Sequence, residues 1–519
     1  MNRPVYIAAL GHCSALGSDT GTALAALRAG TRPSTRHRLL DRDWPCYRLP
    51  FDDPDWLTRA RRAVRHVGQA LMPALPTADA CRSALFVASS SLQIGAIEED
   101  ARKLGTISLP TDAAAFSAQL AQWLGIGGTP WTFSTTCTSA LAALDAAATQ
   151  IRHGHLEHAV VLGIELANDT TLAGFAGLGL LADTPEGAGL VLGEAVAGVV
   201  LSAQPGTGWQ LAACRLGVDS HSPTGPSPDG RIIAQVIHAA LDDARLTAAE
   251  IDLLKPHGGG LSATADAEAN ALDAVFGTQD PPQREYKSGI GHTLGASGLA
   301  ELTLLLADLA QAGAQPRHIL LDLIGFGGSI GALVISADTA AHSSLHTREL
   351  DVQPDACPAS HATQLELDSK TLSARARALH GAPLRRAGAL TEACLVGVAD
   401  ILQDRPPTRS TAVLFASRSG PRHAFTTVLA DLCLRGEDPM PFDFLATQAA
   451  LAALPMQKMW PDIDYVCHLP ITGDEVIHLQ RMMQLATAWL REGRHDRVLC
   501  GIVEPGDDRH RAQWHCFEH

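Results

Sequence analysis

The chain has 519 residues, a formal net charge of −15 at pH 7, 46% hydrophobic residues and 18% charged residues. That length allows two or three domains around a large buried core. The acidic balance argues against a nucleic-acid partner, while an acidic protein partner would need only a local basic patch.

The 11 cysteines are scattered and form no CxxC pair. This points to reduced thiols in a cytoplasmic protein rather than a disulfide framework, and no metal is expected. The stretch from Met1 to Gly17 lacks the charged and apolar regions of a signal peptide, and no apolar run is long enough to span a membrane.

In chain order, Val5 to Leu10 reads as a buried strand and Thr22 to Arg28 as a helix. Residues 31–55 are rich in Pro, Arg and Asp and read as a surface excursion. Leu57 to Met72 is an amphipathic helix with a basic face, stopped by Pro73. Ser83 to Ala88 is an apolar strand, and Thr111 to Leu124 is helical.

Trp131 to Gly154 is the most informative stretch. A β-type run, Trp131-Thr132-Phe133, leads through small hydroxyl residues to Cys137. From Thr138 the pattern turns helical, with Ala140, Leu141, Leu144, Ala147 and Ile151 on one face and Gly154 at the C-cap position. A cysteine at a strand-to-helix corner sits on a helix N-terminus, whose free amides and dipole favour a thiolate and could receive an oxyanion.

Further on, Ala159 to Ile164 is a strand ending at Glu165, and Leu190 to Leu201 reads as a strand pair around Gly193-Glu194. For Glu194 a structural and a functional role both stay open. Trp209 to Leu216 is strand-like, Ile232 to Ala244 is helical, and Thr247 and Glu250 have capping-box spacing. Ile251 to Leu254 leads into Lys255-Pro256-His257-Gly258-Gly259-Gly260, and Ala263 to Phe276 is a helix. A glycine-rich run from Tyr286 to Gly298 contains His292, and the helix Leu299 to Ala312 follows. Strands Ile319 to Leu323 and Ala332 to Ser336 flank Gly325-Phe326-Gly327-Gly328. Strands alternating with helices predict an α/β protein.

Four motifs in order give residues 1 to about 340 a resemblance to β-ketoacyl-acyl carrier protein synthases of the thiolase superfamily. They are Thr136-Cys137-Thr138-Ser139-Ala140, His257-Gly258-Gly259-Gly260, the run from Lys287 to Ala296, and Gly325-Phe326-Gly327-Gly328. The resemblance implies a thiolase-like fold, two similar βαβ-type halves in α-β-α-β-α layers. It implies that Cys137 holds an acyl group as a thioester, a covalent strategy suited to a thiolate. His257 and His292 would assist decarboxylation of malonyl carrier protein and stabilise the enolate, and two histidines mark the elongating type. Backbone N–H groups of Cys137 and Phe326 would form the oxyanion hole, with Gly327 and Gly328 in the same gating loop. Lys287 and Glu301 match a buried supporting pair, and Glu268, eleven residues after His257, is a further supporting candidate. No cofactor is implied, because substrates ride on the phosphopantetheine of an acyl carrier protein.

Three departures from the family pattern stand out. Gly259 and Leu261 occupy positions where the family carries threonines that would hydrogen-bond a pantetheine arm. The aspartate expected eight residues after the first histidine is Ala265, with Asp266 one place late. The segment Leu181 to Gly189 is short and lacks the family's Arg-Pro-Phe-Asp run.

Residues 341–379 read as a linker and 380–519 as a second, partial copy of the first half of a synthase. Thr411 to Ser419 resembles Ser83 to Ser91 at a separation of 328, and Leu490 to Glu504 resembles Ile151 to Glu165 at about 339. Helices around Pro383 to Leu402 and Arg59 to Met72 correspond loosely. The counterpart of Cys137 falls near Gly473 to His478, where there is no cysteine, and Cys467 lies in the preceding strand. The copy is therefore expected to be inert.

The combined expectation is a carrier-dependent condensing enzyme in fatty-acid, aryl-polyene or polyketide-type biosynthesis. One alternative is a non-catalytic, chain-length-factor-like partner. The other is a coenzyme A-dependent thiolase, which would need a second cysteine that Phe326 to Ala332 does not contain. The chain would form an ordinary homodimer, a heteromer, or a pseudo-dimer in which Ile463 to Cys467 docks on residues 80–165.

Overall fold

A computed structural model describes residues 3–76, 83–279, 281–313, 316–338, 359–381, 384 and 387–518. The first strands are β1 (Tyr6–Ser14), β2 (Arg36–Leu39), β3 (Arg42–Tyr47), β4 (Ala84–Ala88), β5 (Trp131–Phe133), β6 (His158–Glu165), β7 (Leu192–Gly193) and β8 (Ala195–Ser202). Next come β9 (Trp209–Val218), β10 (Leu253–Lys255), β11 (His318–Ile324) and β12 (Ser329–Ala337). The last are β13 (His361–Asp368), β14 (Thr411–Ser417), β15 (Ile463–Pro470), β16 (Arg497–Pro505) and β17 (Arg509–Glu518).

Nine strands form one sheet in the order β10-β11-β12-β9-β1-β8-β6-β4-β5. It consists of two halves joined where β1 meets β9 at Tyr6 opposite Gln210 and Ile7 opposite Trp209. Strands covered on both faces need unbroken apolar runs, and β8 (Ala-Val-Ala-Gly-Val-Val-Leu-Ser) is buried along its whole length.

Alternation along the strands sets the layers. Val160, Leu162 and Ile164 face the outer helices Trp56–Leu71 and Ala115–Leu124. Phe86 and Val161 face the central helices Ser139–Arg152 and Ser297–Ala312. On the far side, Arg231–Ala244 and Ser262–Phe276 cover the other half of the sheet. This is the α-β-α-β-α arrangement of a thiolase-like fold. The Ser139–Arg152 helix is mostly apolar or small on every side, with Asp145 and Gln150 as polar exceptions, and is buried from Ser139 to Ile151, as a helix enclosed between layers must be.

Two sequence-level expectations need correcting here. Residues 31–55 are not only a surface excursion: they contain the β2–β3 hairpin, and Trp44, Cys46 and Tyr47 of β3 and the following Leu49 are buried. The expected linker also ends early, because β13 lies inside it as the edge of the second sheet and the helix Ser369–His380 fills the rest. Its polar and mixed sequence suits an edge strand with one face in solvent. Residues 341–358 and Pro383 lie outside the described residues. The helices Ile94–Leu104 and Asp169–Gly177 were not anticipated.

The second sheet has the order β13-β17-β16-β14-β15, which repeats β1-β8-β6-β4-β5 strand for strand. Parallel and antiparallel pairings match as well. The strand registers correspond as well. Ala84 lies opposite Ala159 in the first copy, and Ala412 opposite Val498 in the second. Polar contacts repeat too. Glu165 accepts from the Ser90 N–H and from Ser91 Oγ at 2.6 Å. Glu504, at the same strand end, accepts from the Arg418 N–H and from Ser419 Oγ at 3.0 Å.

The two sheets meet edge to edge. The Ser134 N–H, just past β5, donates to the His468 carbonyl of β15 at 3.2 Å, so each copy covers the other's open edge. One apolar core crosses the seam, joining Phe86, Trp131 and Ala146 to Leu414, Tyr465, Leu485 and Trp489. His153 meets Glu492 at 3.0 Å. These two residues are 339 apart, the offset of the repeat, so equivalent positions touch as they would across a two-fold axis. The most buried polar link is Arg494, which forks onto Asp145 at 2.8 and 3.1 Å and donates to the Cys214 carbonyl at 3.0 Å.

Candidate active site

Cys137 lies in a one-turn 3-10 segment, Thr136–Thr138, between β5 and the central helix. The corner is tight enough to force Thr136 to φ +56°, in the left-handed region that costs a β-branched residue energy. Local bonds hold it there. Thr136 Oγ1 donates to the Phe326 carbonyl at 2.7 Å and lies 3.0 Å from Ser329 Oγ, while Ser139 Oγ donates to the Thr136 carbonyl at 2.6 Å. The nucleophile corner and the glycine-rich loop Phe326–Gly328 are therefore tied together. The Phe326 and Cys137 backbone N–H groups both act on the Cys137 sulfur, which is the pair of donors expected of the oxyanion hole.

The expected thiolate is not the resting form. Burial pushes the Cys137 thiol up to about 11, and the Phe326 N–H and the Lys287 charge only partly offset it. A helix N-terminus in a closed core loses more to desolvation than it gains from its dipole.

His257 and His292 converge with ring centroids 5.5 Å apart in an edge-to-face arrangement. The Leu294 N–H donates to His292 Nδ1 at 3.0 Å, so Nδ1 is the acceptor and the neutral ring carries its proton on Nε2. Burial lowers His292 to about 3, reinforced by Lys287. Burial also drives His257 well below the ordinary histidine value, with Lys287, His292 and Lys255 adding to the effect. Both rings are neutral hydrogen-bond donors at physiological pH. The turn after His292, Leu294–Ala296, packs on the Cys137 turn.

The supporting groups also converge. Glu268 accepts from the His257 N–H and from the Gly258 N–H at 3.2 Å. Lys287 Nζ donates to the His257 carbonyl and pairs with Glu301 at 2.8 Å. Gly259, which departs from the family pattern, leaves room for the imidazole: a Cβ there would lie 2.6 Å from His257 Nε2.

Glu194 is structural. Its carboxylate is fully buried and accepts from the Leu49 and Ala167 N–H groups at 2.8 and 3.0 Å and from Arg59 at 3.0 Å.

Four residues escaped the sequence reading. Lys255 is 1% exposed and pairs with Glu301 from the strand leading into the histidine loop. A lysine ending an apolar strand was the visible signal. Asp322, on β11, is also fully buried. Phe444 and Gln448 come from the second module and line the space at Cys137 together with Thr171, Phe175, Leu294 and Phe326. That space is about 20 Å³, room for about one water. Nothing local marks them, since they lie more than 300 residues from Cys137.

In the second module the strand register places Gly473 opposite the Cys137 position. Its N–H is taken by Asp112 Oδ2 at 2.9 Å, and Arg418 holds the other oxygen of Asp112 at 2.6 Å. This corner has no cysteine, and its amide is already capped.

The family model "Beta-ketoacyl synthase, N-terminal domain" matches residues 58–205, and "Beta-ketoacyl synthase, C-terminal domain" matches 210–319. Through residues 58–319 the chain belongs to the β-ketoacyl synthase family of the thiolase superfamily.

Among curated proteins, Spectinabilin polyketide synthase system protein NorA' of Streptomyces orinoci is 30% identical over 242 residues, 42% of this chain. Polyketide synthase GfsE of Streptomyces halstedii is 33% identical over 219 residues, 38% of this chain. The chain spans about 6% of the length of each.

Among solved structures, the ketosynthase ApeO with its chain length factor ApeC from Xenorhabdus doucetiae has a TM-score of 0.57 at 22% identity, covering 64% of this chain and 98% of that one. The PfaC ketosynthase–chain length factor has a TM-score of 0.72 at 12% identity, covering 100% of this chain and 78% of that one. Both are likenesses of fold.

Proposed function

We propose that the chain is a condensing enzyme with one active site, using acyl groups delivered on a phosphopantetheine carrier. The observation that carries this reading is the convergence of a buried cysteine, two paired amide donors and two neutral histidines. Cys137 Sγ attacks the acyl thioester, its proton leaves with the carrier thiol, and the tetrahedral oxyanion lies between the Cys137 and Phe326 amides. A malonyl carrier then loses CO₂, and the enolate oxygen receives hydrogen bonds from neutral His257 and His292. The enolate carbon attacks the Cys137 thioester, and the released thiolate takes up a proton. The likeness to polyketide synthases favours a polyketide-type pathway.

The second module acts as a built-in inert partner, so one chain is a pseudo-dimer. The edge-to-edge contact of β5 and β15 supports this, because it occupies the edge through which family members pair.

Intact-mass analysis after incubation with a panel of acyl carriers tests the catalytic reading. One acyl adduct is expected, absent in Cys137→Ala; acylation of Cys137→Ala at another cysteine would sink the assignment. Light scattering tests the partner reading: a monomer is expected for the full chain, and a dimer or aggregate for a chain ending near Ala340. A full-length homodimer joined at β5 would exclude it. The tight space at Cys137 favours a second reading, a non-catalytic chain-length-factor-like partner. Failure of every carrier to load the full chain would support that one.

A further inference from the structure

Five ionisable side chains lie behind the histidine pair, four of them buried and Lys287 nearly so: Lys255 on β10, Lys287 at the start of the Lys287–Ile290 turn, Glu301 on the Ser297–Ala312 helix, Glu268 on the Ser262–Phe276 helix, and Asp322 on β11. Two lysines share one carboxylate: Lys255 takes Glu301 Oε2, and Lys287 takes Oε1 at 2.8 Å. Burial alone would raise Glu301, but the two lysines together hold it below its ordinary value. Glu268 is the second anion, committed to the amides of His257 and Gly258.

Two cations and two anions already balance. A fifth, ionised Asp322 would leave a net negative charge in a closed core, which is costly. Neither Asp322 oxygen receives a hydrogen bond from a donor among the described residues, and the carboxylate it faces is Glu268. Two carboxyl groups hold together only across a shared proton. Burial and Glu268 push Asp322 well above the carboxylate range, while Lys255 and Lys287 only partly oppose this.

We propose that Lys255 and Asp322 are positioning residues for His257. Lys255 completes the lysine clamp on Glu301, and Asp322, as a neutral acid, braces the Glu268 carboxylate that holds the histidine loop. Lys287 fixes the His257 carbonyl and Glu268 fixes its N–H. The cluster behind them is charge-neutral only while Lys255 is present and Asp322 keeps its proton. The groups facing His257 are then Lys287, His292 and Lys255, and each lysine disfavours an imidazolium.

The role in catalysis rests on the condensing-enzyme reading, whereas the proton on Asp322 does not. Two measurements on the full chain separate them. The first is melting temperature against pH. The folded state holds a proton on Asp322 that the unfolded chain releases above about pH 4, so this one group costs the wild type stability as pH rises. Asp322→Asn removes that loss. Its melting temperature is expected to exceed the wild type's, by more at pH 8 than at pH 5. An Asp322→Asn protein less stable than the wild type at pH 8 would overturn the neutral-acid assignment.

The second is the pH profile of malonyl-carrier decarboxylation. Lys255→Met is expected to move its acid limb to higher pH, and Lys255→Arg to restore it. A purely structural lysine would lower the rate without moving the profile, and that result would overturn the positioning role. Wild-type protein that decarboxylates nothing would fail the condensing reading instead, and the melting series would still decide Asp322.

Discussion

Arg494 offers the sharpest test of how the second module is held. Its guanidinium is 5% exposed and Asp145 is 1% exposed. The fork onto Asp145 spans 2.8 and 3.1 Å, with a third bond to the Cys214 carbonyl at 3.0 Å. Burial would lower Arg494, but Asp145 reverses this and raises it. Arg494→Met leaves Asp145 as a buried carboxylate without its partner, a loss expected to cost about 3–5 kcal/mol. Asp145→Leu should cost a similar amount by stranding the guanidinium. The double variant replaces a buried pair by apolar groups and should recover most of either loss, giving a coupling energy of about 2 kcal/mol or more. Urea unfolding of the wild type, both single variants and the double variant, with common slopes, reads this directly. A single-variant loss under about 1 kcal/mol, the range of an exposed pair, would refute the claim that Arg494 is sealed into the seam. So would simple additivity.

Other expectations follow from the site. Phe444→Ala should widen the space at Cys137. At about 0.8 kcal/mol per buried methylene, three more accommodated methylenes shift preference toward longer acyl groups by roughly fiftyfold, read as competitive loading by mass spectrometry; an unchanged chain-length profile counts against a pocket wall supplied by the second module. Gly174→Ala would place a Cβ 2.1 Å from Phe444 Cγ, so it should destabilise alone and be rescued by Phe444→Ala in thermal melts. His257→Ala and His292→Ala should spare acyl loading but slow malonyl decarboxylation by about a hundredfold or more, and malonyl turnover unchanged from the wild type in both would remove their assigned role. Burial lowers His12, His292 and His468 to about 3. The unfolded chain therefore binds protons first as pH falls below about 6.5, and stability present above that pH is lost toward pH 3. At pH 5 each should cost about 2 kcal/mol, so His468→Phe should shrink the fall in melting temperature from pH 8 to pH 5, and an unchanged fall would contradict neutral burial of His468.

The local patterns in the chain were enough to place the main elements and the chemistry-bearing groups. The Trp131–Gly154 pattern located the nucleophile corner because strand, turn and amphipathic helix are each written locally. His257, His292, Lys287, Glu301, Glu268 and Phe326 lie in contiguous motifs, and the structure gathers the first five into one cluster and sets Phe326 beside Cys137. The internal copy was legible from the apolar strands that recur at offsets of 328 and 339.

Tertiary structure decided what depends on enclosure. The thiol's high proton affinity, the neutrality of both histidines and the proton on Asp322 arise from burial, which no local pattern records. β13 hid in a polar stretch because an edge strand needs little apolar surface. Phe444 and Gln448 reach Cys137 only because one edge strand meets another. That pairing is made by backbone groups common to every residue, and side-chain sequence alone does not choose the partner.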